Sequence, residues 1–389
     1  MNYNRPRNNS STIGIRLMCA IVFLTFSFVW LYHFQADLLA AAQHVLSGGL
    51  TTYNRVLAPV VITVLLQLLQ LGVYTLFRLK KRTHALTYLP SMLLLALLTD
   101  ISPSIAEGHS LGAWWWLLPL LLVVWAGVAL LVRALQDVEP ANEPCGLFSR
   151  PMWINMLLML LMIICVASIS NSNAVFHYRM KAEACLLEGN DEGALDAGWE
   201  SLESDANLQM VRMYALSRKG ELGERLFRYP IVAGSSAMLP TNGESSTILY
   251  PIDSLYRYFG ARPAAPMLPV RYLQLMARRD TVVSQKLIDY ELCGLLIDKQ
   301  IDQFVGRIRH YYPELDSIGA DRLPRHYREA LTLYTHLRSN PTVIYHNAVM
   351  DEDWENLQEL EALYADPSER KGRVEEQYRG TYWYYYEYE

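Results

Sequence analysis

Apolar residues cluster in five long runs within the first 170 positions, at 17–34, 57–77, 85–99, 111–132 and 151–169. Crossing a bilayer as a helix takes ~20 mainly apolar residues, with ~17–25 as the usual range. The pattern therefore predicts a bundle of about five transmembrane helices. The third is short and contains Pro90. No Asp, Glu, Lys or Arg stands at the middle of any run. Ionisable groups inside a membrane mark ion and proton pathways, so a transporter or channel ranks last among the functional classes.

Beyond the polar connector Ser170-Asn171-Ser172-Asn173, the pattern changes to shorter amphipathic stretches. Gly189 and Gly220 stand 31 residues apart, as do Ala184 and Ala215, with Ala182 and Ala194 as further small residues. Small residues let two helices approach closely, and glycine permits the turn between them. The spacing approaches the ~34-residue period of tetratricopeptide helix-turn-helix units. Arg225 stands where the second unit would want a small residue, and the pattern breaks after Phe227. Residues 229–266 are rich in Pro, Gly and Ser and predict a long loop around a short helix at 252–259. Helical periodicity resumes at 268–277, 282–297, 301–312, 324–337, 351–364 and 367–378. Alternating Val/Ile-rich strands are not seen. The fold class is all-α, with a membrane bundle over 1–170 and a tetratricopeptide-like α-solenoid over 171–389.

Charge sharpens this division. Residues 1–170 hold 10 Lys/Arg and 6 Asp/Glu, whereas 171–389 hold 24 and 33. A net charge of −5 that splits in this way excludes a basic nucleic-acid binder. With the N-terminus in the cytoplasm, Arg5, Arg7, Arg16, Arg78, Lys80, Lys81, Arg82, Arg133 and Arg150 all fall inside, and only Arg55 outside. That bias sets the orientation, and five spans place the C-terminal half outside the cytoplasm. If 85–99 lies only in the interface, the count becomes four and that half turns inward. The arginines, first apolar run and Ala40-Ala41-Ala42 also resemble a signal peptide. The alanines sit well beyond the run, so an uncleaved anchor is expected.

Candidate chemistry is sparse. Asp37 and His44 are seven residues apart and share one helical face, where they could bind a metal or relay a proton. The competing reading is an amphipathic helix on the outer membrane surface, ending at Gly48-Gly49. Asp100, Glu107 and His109 in the next loop carry the same two readings. Trp114, Trp115 and Trp116 read as an interfacial anchor. Cys19, Cys145, Cys165, Cys185 and Cys293 form no metal set. Cys185 and Cys293 would pair only if the fold brought them together. Metalloprotease, phosphate-loop, nucleophile-elbow and dinucleotide motifs are absent, so no cofactor or metal is expected. The sequence places His177, His310 and His326 in no recognisable catalytic motif, and Arg325 and His326 read as surface residues. The closing segment, with Tyr382, Trp383, Tyr384, Tyr385 and Tyr386, would be sticky if free. It is expected to pack as a strap, or to offer rings that stack on sugars or a partner.

The stretch Tyr214-Ala215-Leu216-Ser217-Arg218-Lys219-Gly220-Glu221-Leu222-Gly223, residues 323–337, the closing Thr381-Tyr382-Trp383-Tyr384-Tyr385-Tyr386 and the loop 37–49 resemble a family of uncharacterised multi-span inner-membrane proteins from Bacteroidota. The resemblance implies a Gram-negative inner membrane and a periplasmic C-terminal half, and it carries no functional residue across. Longer relatives are similar to lipid-linked glycosyltransferases, but this chain has far fewer spans. The expected function is a membrane-anchored periplasmic helical-repeat scaffold that binds a partner protein in envelope assembly or transport. The alternative is a membrane enzyme acting on a lipid-linked or glycan substrate, with Asp37 as its carboxylate and His44 assisting.

Overall fold

Four helices have the length and composition of a membrane span: Ile13–Phe34, Leu57–Phe77, Trp114–Leu135 and Arg150–Ile169. Most of their side chains face outward and are apolar, as a lipid solvent requires. The computed structural model describes residues 9–79, 82–103, 105, 112–135, 149–279, 283–312 and 322–389. Arg5, Arg7, Lys80, Lys81, Glu107, His109 and Cys145 lie outside these.

The chain divides into two compact units, Met1–Asn173 and Ala174–Glu389. In the first, α1 (Asn9–Val29) continues as a π-helical turn, Trp30–Phe34, and α2 (Ala36–Leu46) ends before Gly48 and Gly49. α3 (Leu57–Phe77) follows. A 3-10 turn, His84–Tyr88, then leads into α4 (Leu89–Thr99), and α5 (Trp114–Leu135) and α6 (Arg150–Ile169) complete the unit.

The expected fifth span at 85–99 is not one helix of spanning length. It is a 3-10 turn plus an 11-residue helix, and at 1.5 Å per residue the helix alone rises only ~16 Å. A 3-10 turn breaks the α-helical ladder, so its backbone groups need partners in an apolar setting. Uncharged side chains provide them. Asn155 Oδ1 accepts the Ala85 N–H at 2.7 Å. Gln67 donates to Gln70, Gln70 to the Thr87 hydroxyl, and that hydroxyl to the His84 carbonyl. The Ser91 hydroxyl donates to the Leu66 carbonyl at 2.8 Å, so the segment runs antiparallel to α3. At its far end Thr99 Oγ1 meets Ser170 Oγ at 2.6 Å. The segment thus lies alongside α6 from Asn155 to Ser170. The Arg16 guanidinium bonds to Tyr74, near the last turn of α3. Arg133 donates to the Leu76 carbonyl at 3.5 Å, which gathers these arginines at one end of the unit.

The second unit is helical throughout, and no strand occurs among the described residues. It contains α7 (Ala174–Leu187), α8 (Asp191–Asp196), α9 (Ala206–Lys219), α10 (Leu222–Arg225), α11 (Ile252–Phe259), α12 (Pro269–Ala277), α13 (Gln285–Ile297), α14 (Ile301–Tyr311), α15 (Arg325–Leu337), α16 (Ala348–Leu363), α17 (Pro367–Tyr378) and α18 (Tyr382–Tyr388). Gly189 and Gly220 both adopt positive φ at turns. α7, α8 and α9 pack together, with Ala182, Ala194 and Ala215 fully buried between them. α8 has only six residues. Gly198, at φ +64°, lies in the turn that follows it, where an added Cβ would lie 2.4 Å from the Tyr178 ring. The stretch beyond it is tied down by Arg212, which donates to the Ala197 and Gly198 carbonyls at 3.0 and 2.9 Å.

The Pro/Gly/Ser-rich segment has little secondary structure, so side chains from the helices satisfy its backbone. Gln209 accepts the N–H groups of Val232 and Ala233, both at 2.9 Å. Asp298 accepts the Ser235 N–H at 2.9 Å. Glu183, on α7, accepts three successive N–H groups from Ile248, Leu249 and Tyr250 at 2.7, 2.6 and 3.1 Å.

Candidate functional site

Ionisable side chains buried in a helical domain are where chemistry is first sought. Four carboxylates of the second unit qualify: Glu183, Asp289, Glu329 and Glu291, the last bonded by the Tyr311 hydroxyl and paired with Arg307 at 3.2 Å. Each is engaged in holding structure together. Glu183 shares its second oxygen with Arg179, whose Nε lies 2.9 Å away. Asp289 accepts the Tyr327 hydroxyl and the Gln285 amide, both at 2.9 Å. Burial pushes the Asp289 carboxyl above its ordinary value, and these two donors only partly offset the effect.

Glu329 forms the most elaborate of these constellations. Its Oε2 faces His326 Nδ1 at 2.9 Å and accepts the Tyr382 N–H at 2.7 Å, while Oε1 accepts from Arg325 at 2.7 Å. The Phe227 N–H points at His326 Nε2 from 3.4 Å, so Nε2 accepts and the ring proton sits on Nδ1, toward the carboxylate. Burial raises the Glu329 carboxyl, but His326, Arg325 and the Tyr382 N–H outweigh it and hold the group below its ordinary value. An acid–imidazole pair of this kind resembles catalytic machinery. Here both residues are sealed in the core, and their bonds anchor the chain's last helix.

The reading of His326 as a surface residue therefore needs correction, whereas Arg325 remains partly exposed. His326 is fully buried. The spacing Arg325-His326-x-x-Glu329 was legible as i,i+3 and i,i+4 partners on one helix. Its backbone target, 53 residues away, was not.

The closing aromatic segment folds as α18, capped by the Thr381 side chain. Gly380, at φ +87°, turns the chain into it with an added Cβ only 3.3 Å from Arg228 Cγ. Tyr382, Trp383, Tyr384 and Tyr385 are buried, and Tyr386 is half-buried. Trp383 donates to the Glu329 carbonyl at 2.7 Å, and Tyr385 to the Ile297 carbonyl at 2.7 Å. Phe227 stacks on Tyr385 with ring centroids 4.7 Å apart.

Of these rings, Tyr384 also lines a polar cleft of about 230 Å³. The cleft lies between the 3-10 turn Leu226–Arg228 and the pair α17–α18, with Leu202 at one side. Arg228, Lys371 and Arg379 line it, opposed by Glu375 and Glu389. Lys371 is engaged, donating to the Tyr388 carbonyl at 3.0 Å. Burial, then the Glu375 and Glu389 carboxylates, push the Tyr384 phenol up to about 12, so it stays a donor. The Arg379 charge acts on the Glu389 carboxylate and the Tyr384 phenol beside it. Nothing in the sequence neighbourhood of Arg228 or Arg379 marked them, because the fold alone brings residues some 150 positions apart to one cleft.

The candidates of the first unit separate. Asp37 pairs with Arg55. His44, on the last turn of α2, packs its ring over Gly49. Asp100 accepts the Trp114 indole N–H at 2.7 Å. Cys185 and Cys293 are not joined in a disulfide, and burial pushes Cys293 well above the usual thiol value. Among the described residues, no group of three or more His, Cys, Asp or Glu side chains is placed to hold a metal.

Residues 282–389, from α13 through α18, match a family of unknown function, DUF6057. They form a DUF6057 domain in a protein with four apolar, span-length helices. This domain supplies Lys371, Glu375, Arg379 and Tyr384 to the cleft. No curated protein and no solved structure matches the chain.

Proposed function

We propose that this protein is a membrane-anchored binding module whose helical-repeat domain, held outside the cytoplasm, receives a partner protein in the Arg228–Arg379 cleft. One observation carries the reading. The buried carboxylates are consumed in contacts inside the domain, whereas the Arg228 and Arg379 side chains line a shaped cleft and leave it one positive charge in excess of its carboxylate side chains once Lys371, Glu375 and Glu389 are counted. Guanidinium is a planar fork suited to a carboxylate. Leu202, Phe227 and Pro230 give the same cleft an apolar wall. Glu375 and Glu389 limit it to one anionic group. The partner feature that fits is a short protein segment presenting a single carboxylate beside an apolar side chain. The recurrence of helical hairpins with buried alanines at the α7–α9 packing supports the helical-repeat reading.

The orientation rests on the excess of Lys and Arg on one side and on the path of the 84–99 segment. Its ends pair with opposite ends of α6, which supports a fifth, partly 3-10 crossing and a C-terminal domain in the periplasm of a bacterial inner membrane. The ion pair between Asp37 and Arg55 favours a binding role over an enzyme built on that carboxylate.

Photocrosslinking in intact membranes tests the reading. A crosslinker at Leu202 should capture one defined partner, and Arg228→Ala with Arg379→Ala should abolish capture while the domain keeps its hydrogen-exchange protection. Unchanged capture by a stably folded double variant would refute it.

A further inference from the structure

Between Asp253 and Asp280 the chain carries five arginines, Arg257, Arg262, Arg271, Arg278 and Arg279, and no Lys, Asp or Glu. This run lies in the half of the chain where 33 acidic residues outnumber 24 basic ones. We propose that the outer side of α12 is a docking face for a lipid bilayer surface that carries anionic phospholipids. The inference does not rest on the cleft at Arg228 and Arg379.

α12 forms this face by burying its other side. Pro269 opens the helix, and Tyr272, Leu273 and Met276 are buried in the core. The Tyr272 hydroxyl donates to the Ala261 carbonyl at 2.7 Å and fixes the helix against the connector from α11. Leu268, Arg271, Leu275 and Arg278 follow at spacings of three, four and three, which puts them on one outer stripe. All four are exposed, as is Arg279, and Leu268 keeps 59% of its surface. Apolar tips thus alternate with guanidinium groups on a convex face. Arg262 is paired with Asp253 at 3.0 Å, so the charge of the face rests on Arg271, Arg278 and Arg279.

Charge and shape select the occupant. Arginines attract an anionic surface, and each cation near one strengthens association ~5-fold. The interleaved leucines enter the boundary between headgroups and acyl chains, while the long arginine side chains reach back to the phosphates. A protein partner instead seats its anchors in pockets, which the convex side of a helix does not offer. The bilayer is also at hand. Residues 170–173 alone connect this unit to α6, a helix of spanning length, so a modest intrinsic affinity suffices.

Full-length protein reconstituted into liposomes tests the proposal, with a photocrosslinking amino acid in place of Leu275. In vesicles of mixed phosphatidylcholine and phosphatidylglycerol it should form lipid adducts, read by mass spectrometry. The yield should fall ~10-fold or more in phosphatidylcholine alone, and equally when Arg271→Gln, Arg278→Gln and Arg279→Gln are combined. Raising the salt should lower it too, because screening weakens attraction to surface charge. Hydrogen exchange over α13 reports whether the triple variant keeps its fold. Should it not, the dependence of the unsubstituted arginine face on phosphatidylglycerol still decides. Equal yield with and without phosphatidylglycerol, or in a folded triple variant, would overturn the proposal. So would crosslinking in native membranes that gives one protein adduct and no lipid, since α12 would then face a protein.

Discussion

The Glu329 carboxylate accepts the backbone N–H of Tyr382 at 2.7 Å, joining the middle of α15 to the first residue of the last helix. It does so while held by His326 and Arg325 on its own helix. Glu329→Ala removes the acceptor and leaves the Tyr382 N–H and the imidazole unsatisfied in the core. Losing a buried charged partner costs ~3–5 kcal/mol, and hydrogen exchange over 380–389 should accelerate accordingly. Because the Glu329 carboxyl is depressed in the folded state, its stabilisation is full above the unfolded value of ~4.3. It is lost as pH falls through the lower folded value. Acid should therefore release the tail in the wild type and have little further effect in the variant.

Glu183 is predicted to act in the same way on the 246–250 segment. Glu183→Ala strands three N–H groups and removes the carboxylate from Arg179, which keeps only its bonds to Ser246. At ~1–3 kcal/mol for each unsatisfied buried group, the segment should open locally. Limited proteolysis should then cut near Ser245–Tyr250, where the wild type resists. Resistance equal to the wild type would show that other contacts hold the segment.

Asp289 should show the opposite pH behaviour, because burial raises its carboxyl. Ionised Asp289 costs stability above its folded value, and the cost vanishes below the unfolded value of ~3.9. Asp289→Asn keeps an oxygen for the Tyr327 hydroxyl without the buried charge. The variant should be more stable by ~1 kcal/mol at pH 7, with the advantage fading toward pH 4. Local exchange protection of α13 and α15 reports it. A loss of protection at pH 7 would contradict this account.

Asn155→Leu should disrupt the first unit, since it deletes the acceptor for the Ala85 N–H at the 3-10 turn. A stranded buried N–H costs ~1–3 kcal/mol. The variant in detergent should melt at lower temperature than Met159→Leu, a volume-conserving control on the same helix.

Topology is read by fusions. Alkaline phosphatase joined after residue 200 should be active, and joined after residue 140 inactive. The reverse pattern would turn the C-terminal domain to the cytoplasm.

Helix positions in the second unit were largely visible in the chain, because amphipathic periodicity is a local signal. The short helix at 252–259 appears where the pattern placed it, and the helices expected at 282–297 and 301–312 appear as Gln285–Ile297 and Ile301–Tyr311. The span-length helices were equally visible, because ~20 apolar residues have few alternatives. What did not show was the status of 85–99. Its apolar composition reads as a span, whereas its shape depends on amides from α3 and α6.

By itself, then, the sequence determined the division into an apolar, sparsely charged half and an acidic helical half, and the class of element in each. Those follow from local pattern and from the solvent each half can tolerate. Tertiary structure alone decided that the aromatic tail is core, that His326 and Glu329 are a buried latch, and that Arg228 and Arg379 share a cleft. These depend on contacts between residues 53 to about 150 positions apart. Such contacts have no local signature, because any one partner's sequence surroundings are compatible with many others.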